Sequence, residues 1–146
     1  MIRVYAVVLC LVFSFSAHAM STGQMVSIYK RLTAANGIRV APALVVQQDD
    51  DINASTSVFR ITVNTGMLRA VHNADEMALV LGHELAHYTL GHRGSTPKNE
   101  YAADARGAKY MQKIGYNRCV GAKMLQRFGS KGSKTHPAGT SRYKAL

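Results

Sequence analysis

Two histidines, His83 and His87, stand four residues apart in the run His83-Glu84-Leu85-Ala86-His87. Four residues make about one helical turn, so on a helix both imidazoles leave the same face and can bind one metal ion. Glu84 adjoins His83 and lies angularly near that face, within reach of a water held at the metal. Imidazole and carboxylate donors with one open position suit catalytic zinc. The chemistry this permits is metal-assisted amide hydrolysis: the metal acidifies the water, and Glu84 takes its proton and delivers it to the leaving amine. A further ligand must come from outside this helix. The run Glu100-Tyr101-Ala102-Ala103-Asp104 offers two acids one turn apart. Its short distance from His87 suits two antiparallel helices joined by a tight loop, which returns Glu100 to the histidines. His83, His87 and Glu100 are thus the expected ligands of one zinc, with the fourth position left for water. Asp104 is placed to accept a hydrogen bond from a ligand imidazole and fix its tautomer.

Several elements must position these groups. Asn73 followed by Glu76 resembles a capping box that opens the helix of His83, and Gly91 ends it. Met77, Leu81, Leu85 and Tyr88 form its apolar stripe. Thr96 caps the helix of Glu100, with Pro97 at its first position and Gly115 at its end. Asn117 starts a last helix that Gly129 closes, and the Gly/Ser/Lys-rich tail from Ser130 to Leu146 is expected to be irregular. Upstream, Ser21 or Thr22 caps a first helix that Asn36-Gly37 terminates. Ile38 to Val46 reads as a strand, with Pro42 marking an edge or a bulge. Asp49-Asp50-Asp51 and the polar stretch to Ser57 read as a solvated turn. Val58 to Asn64 alternates, with Phe59, Ile61 and Val63 against Arg60 and Thr62, a half-buried strand that Thr65-Gly66 closes. The predicted order is α-β-β-α-α-α in one α+β domain.

The chain has 146 residues, 47% of them apolar and 18% charged, a foldable composition that suits a single domain. Cys10 and Cys119 are too few for a disulfide scaffold or a cysteine-rich zinc module. Arg3, the apolar run Val4 to Phe15 and the box Ala17-His18-Ala19 make a secretory signal peptide, residues 1–19, leaving one domain at 20–146 that carries the metal motif. The apolar run is short for a membrane span. Export to the periplasm or the outside follows. The charge is uneven: 18 Lys+Arg oppose 8 Asp+Glu, every acid lies between Asp49 and Asp104, and every charged residue after Asp104 is basic. Such a half fits either an anionic envelope surface or a solubilising role. No nucleic acid is expected as a partner, because aromatic and basic residues do not interleave and no nucleic-acid motif is present.

The stretch VFRITVNTGMLRAVHNADEMALVLGHELAHYTLGH, Val58 to His92, resembles the core of the HtpX-like and CaaX-prenyl-protease-like family of zinc metallopeptidases. The matching features are Thr65-Gly66-Met67-Leu68, then Asp75-Glu76-Met77-Ala78 through Gly82, the zinc motif and Gly91-His92. Glu100, Ala103 and Asp104 match the family's E-x-x-A-D motif, and His136-Pro137 with Arg142 match its later H-P-x-x-x-x-R motif. The resemblance implies a minimal gluzincin fold with a small sheet, in which Val58 to Asn64 is the edge strand that aligns an extended polypeptide by main-chain pairing. It also implies a role for His136, which either stabilises the oxyanion or approaches the zinc and gates it, with Arg142 ordering the tail. His92 is expected to be structural. The activity implied is a zinc-dependent metalloendopeptidase of the bacterial cell envelope. Two other readings stay open: a hydrolase of cell-wall peptide crosslinks, and a zinc-binding adaptor with weak proteolysis.

Overall fold

The computed structural model describes residues 19–127, Lys131 and residues 137–146. The expected signal peptide, apart from Ala19, and His136 lie outside these residues. The first helix, α1 (Thr22–Ala35), starts where its first-turn amides find partners. The Ser21 hydroxyl accepts from the Gln24 amide, and the Gln24 side chain accepts from the Ser21 amide. Its buried stripe is Met25, Ile28, Tyr29 and Leu32. The Tyr29 hydroxyl donates to the Pro42 carbonyl. Burial, with Tyr88 nearby, pushes that phenol up to about 12.

A three-stranded sheet follows, in the order β1-β3-β2. Strand β1 (Ala43–Gln47) runs parallel to β3 (Arg60–Asn64), with Leu44 opposite Ile61 and Val46 opposite Val63. Strand β2 (Ala54–Thr56) is antiparallel to β3, with Ser55 opposite Thr62. The strand predicted at Ile38 begins only after Pro42 and lies at a sheet edge, one of the two places Pro42 allowed. Three expectations are corrected here. The polar stretch before Ser57 holds a strand, not only a turn; Ala54, Ser55 and Thr56, three small residues, carry no readable alternation, and pairing with β3 creates it. Val58 to Asn64 is therefore not the edge strand, because β3 is central and β2 covers its other side. Phe59 also leaves the predicted buried face, at 82% exposure. A tight turn closed by Ser57 N–H to Arg60 C=O, 2.8 Å, delays the ladder until Arg60. Only Ile61 and Val63 reach the core.

Thr65-Gly66 opens a short helix, α2 (Thr65–Ala70), instead of merely ending the strand. Its first residues hold the Asp49 turn: the Thr65 hydroxyl and the Gly66 amide both donate to the Asp49 carbonyl at 2.8 Å. Next comes α3 (Ala74–Thr89), capped by the Asn73 side chain at the Glu76 amide, 3.0 Å. Helix α4 (Pro97–Lys113) follows with Thr96 as its cap, and α5 (Arg118–Arg127) after that. Met77, Leu81 and Leu85 of α3 are fully buried, so this helix is the centre of the core. The tail expected to be irregular folds at its end into α6 (Gly139–Ala145). Tyr143 and Leu146 pack on the core, a tertiary gain that local composition does not carry. No helix among the described residues is long and apolar enough to cross a membrane.

The capping box at α3 is completed on one side only. The Glu76 carboxylate turns away from Asn73, accepts from the His72 amide at 2.7 Å, and takes a two-pronged pair from Arg127 at 2.9 and 2.6 Å. Burial alone would raise this carboxyl, but Arg127 and the His72 amide hold it below its usual range. A folded-state pKa lower than the unfolded one contributes stability above about pH 4.3 that is lost as pH falls through the folded value. Arg127→Met should therefore cost ~1–3 kcal/mol at pH 7, where a charged acceptor is left buried. The deficit should narrow toward zero in acid, and urea unfolding of both proteins at pH 7 and pH 3 measures it. An equal deficit at both pH values would assign the loss to packing.

Candidate metal centre

The antiparallel α3–α4 pair builds the site. Gly91, at φ 66°, takes the left-handed conformation that ends α3, and its amide bonds back to the Tyr88 carbonyl. Thr96 then caps α4 through the Asn99 amide at 3.2 Å, and Pro97 occupies a position where no amide is needed. This short return sets Glu100 beside His87 and Asp104 beside His83. Close packing holds the two axes together: a Cβ at Gly82 would meet the Gly107 carbonyl oxygen at 2.7 Å.

The Nε2 atoms of His83 and His87 lie 3.0 Å apart. Glu100 faces both, Oε2 at 3.4 Å from His83 and Oε1 at 3.4 Å from His87. One ligand atom from each of the three lies within 4.8 Å of the others, so a single metal ion can be held among them. The outer ring nitrogens are occupied. Nδ1 of His83 is 2.8 Å from Asp104 Oδ1, and Nδ1 of His87 is 2.9 Å from Nδ1 of His92. With those nitrogens engaged outward, both Nε2 atoms point at the common centre, as zinc requires. Ser95 donates to Glu100. From α6, Arg142 clamps Asp104 with Nε to Oδ2 at 2.7 Å and Nη2 to Oδ1 at 2.6 Å.

The electrostatics favour a cation at this centre. Burial alone would lower the His83 imidazole, but Asp104 and Glu100 raise it to about 9. Burial would raise Glu100, yet the two histidines and Ser95 hold it far below the carboxylate range. Asp104 is likewise pulled down against burial by Arg142 and His83. Two imidazoles and a permanently charged carboxylate are a donor set that zinc accepts.

Glu84, buried on α3, lines the same cleft of about 450 Å³, which Thr56, Val80 and Leu125 also border. Its Oε2 accepts from the Thr56 hydroxyl at 2.5 Å. The predicted site residues among the described ones, His83, Glu84, His87, Glu100, Asp104 and Arg142, are thus gathered in one place; His136 lies outside the described residues. Sequence reasoning missed two groups that touch them, Thr56 and Ser95. Thr56 comes from a strand with no readable periodicity and Ser95 from a loop. His92 was assigned a structural place near the helix end; it lies five residues beyond His87, past the left-handed Gly91, and the turn there folds its ring back onto His87.

A model of peptidase family M48 matches residues 19–98. The chain belongs to peptidase family M48. The match spans more than half the chain and includes His83, Glu84 and His87. It ends before Glu100, Asp104 and Arg142, whose places rest on the geometry above. No curated protein matches the chain. As an M48 peptidase it is a zinc metalloprotease, a hydrolase of peptide bonds, and its α+β fold with a small sheet agrees with the gluzincin expectation.

Proposed function

We propose that this M48 peptidase is an exported metalloendopeptidase that cleaves polypeptides of the bacterial cell envelope, with residues 1–19 as its leader and 20–146 as its working domain. The observation that carries the reading is the buried carboxylate of Glu84 beside three convergent donors, in a cleft bordered by the outer side of β2. His83, His87 and Glu100 hold the zinc, while Asp104 and His92 orient the two imidazoles from behind. Arg142 keeps Asp104 charged and in place. When bound, zinc polarises the scissile carbonyl and acidifies a water. Among the described residues β2 pairs with β3 alone, and its other side is offered to an extended substrate backbone. Glu84 removes the proton from the attacking water and carries it to the departing amide nitrogen. Its Oε2 accepts from Thr56, and the proton transfer is assigned to its other oxygen, Oε1.

His136 is assigned to the oxyanion, with metal gating as the alternative. His136→Ala should lower kcat ~10²–10³-fold at unchanged zinc content if it is a donor to the oxyanion. A rise in activity would mean that it blocks the metal. An unchanged rate would remove both roles. The basic C-terminal half supports attraction to an anionic envelope surface.

Digestion of an unfolded protein, set beside digestion of purified peptidoglycan, tests the substrate class. Fragments from the unfolded protein and an intact wall polymer are expected. Release of wall peptides alone would favour the crosslink hydrolase. Zinc binding with neither product would favour the adaptor.

A further inference from the structure

Thr56 ends β2 at the edge of the cleft, and its hydroxyl lies 2.5 Å from Oε2 and 2.9 Å from the main-chain carbonyl of Glu84. A hydroxyl has one hydrogen to give. The carbonyl belongs to a residue inside α3, and the carboxylate is the charged acceptor, so the carboxylate is the stronger claimant. The contact bridges two elements that are 28 residues apart in the chain, and it is partly buried. A glutamate has three side-chain torsions to fix. Among the described groups, Thr56 is the donor that restrains the Glu84 carboxylate.

We infer that Thr56 is a positioning residue for the hydrolysis: its hydroxyl holds the Glu84 carboxylate so that the other oxygen faces the attacking water. The inference rests on Glu84 being the general base. It also makes β2 serve twice, once as the strand against which substrate lies and once as the support of the base. The γ-methyl of Thr56 has no part in this; the hydroxyl does.

The test compares Thr56→Val, which keeps the shape and removes the donor, with Thr56→Ser, which keeps the donor. Thr56→Val should lower kcat roughly 10- to 100-fold, the scale of a misplaced reacting group. KM for an unfolded-protein substrate should stay within about twofold, and zinc content should not change. Thr56→Ser should recover most of the rate. Combined with Glu84→Gln, Thr56→Val should add almost nothing to the loss, since residues that act as a unit are non-additive. Wild-type kcat in Thr56→Val would overturn the inference. So would Thr56→Ser failing as badly as Thr56→Val, which would point to packing, or full additivity with Glu84→Gln. If Glu84→Gln alone leaves turnover intact, the assignment of the base has failed, independently of Thr56.

Discussion

Glu84→Gln should leave one zinc per chain in place and reduce cleavage of an unfolded polypeptide by ~10²–10⁴-fold. The size follows from what the substitution removes. Glutamine has the same shape, and its carbonyl oxygen can still accept from Thr56, so the wall of the cleft is kept. Glutamine cannot take up the proton of the attacking water, and the leaving nitrogen loses its proton source. The metal ligands His83, His87 and Glu100 are untouched, and their hydrogen bonds to Asp104, His92 and Ser95 remain. Zinc content by elemental analysis and steady-state cleavage rates on the same sample separate the two effects. Turnover at the wild-type rate would remove Glu84 from the mechanism. Loss of zinc together with turnover would make Glu84 a structural part of the centre.

Gly107→Ala should damage both stability and metal affinity, although residue 107 is neither a ligand nor in the cleft. A Cβ there would stand 2.6 Å from the His83 amide nitrogen and 2.7 Å from the Gly82 carbonyl carbon. Both obstacles are backbone, so no side chain can swing aside. The helices α3 and α4 must part, and α4 carries Glu100 and Asp104 away from the histidines. Overpacking of this kind costs about 1–3 kcal/mol. Displacing the partners of metal ligands costs about 10- to 100-fold in affinity. Gly23→Ala is the matched control. In α1 the nearest atom to a new Cβ would be the Ser21 hydroxyl at 4.0 Å, and alanine is the better helix former, so no loss is expected. Melting temperature and zinc affinity by chelator competition measure both variants. A Gly107→Ala protein with wild-type values would show that the close approach does not set the site.

Helices α1, α3 and α4 of this M48 peptidase were legible because each has chemical punctuation, whereas α2 and α6, which have no side-chain cap, were not. Ser21, Asn73 and Thr96 cap where they were expected to, and Gly37, Gly91 and Gly115 take positive φ just beyond the helix ends. The metal centre was legible for the same reason: a four-residue spacing on a capped helix, and a short return to Glu100, leave little freedom. The sheet was not. β2 consists of Ala54, Ser55 and Thr56, whose pattern carries no face, and only the register with β3 makes it a strand. That one omission moved the edge of the sheet from Val58–Asn64 to β2 and hid the hydrogen bond between Thr56 and Glu84. The partner of Arg142 was equally hidden. A salt link between residues 104 and 142 depends on where α6 docks, and no local spacing encodes that.

Zinc titration of the metal-free protein, with cleavage of an unfolded polypeptide followed at each addition, addresses the central claim most directly. A chelator should abolish cleavage, and activity should return in proportion to zinc and saturate at one equivalent per chain. In His83→Ala, His87→Ala and Glu100→Ala the same titration should fail to saturate at that point, because each removes one donor from the centre. Cleavage that persists without metal, or a Glu100→Ala protein that binds zinc as tightly as the wild type, would contradict the account.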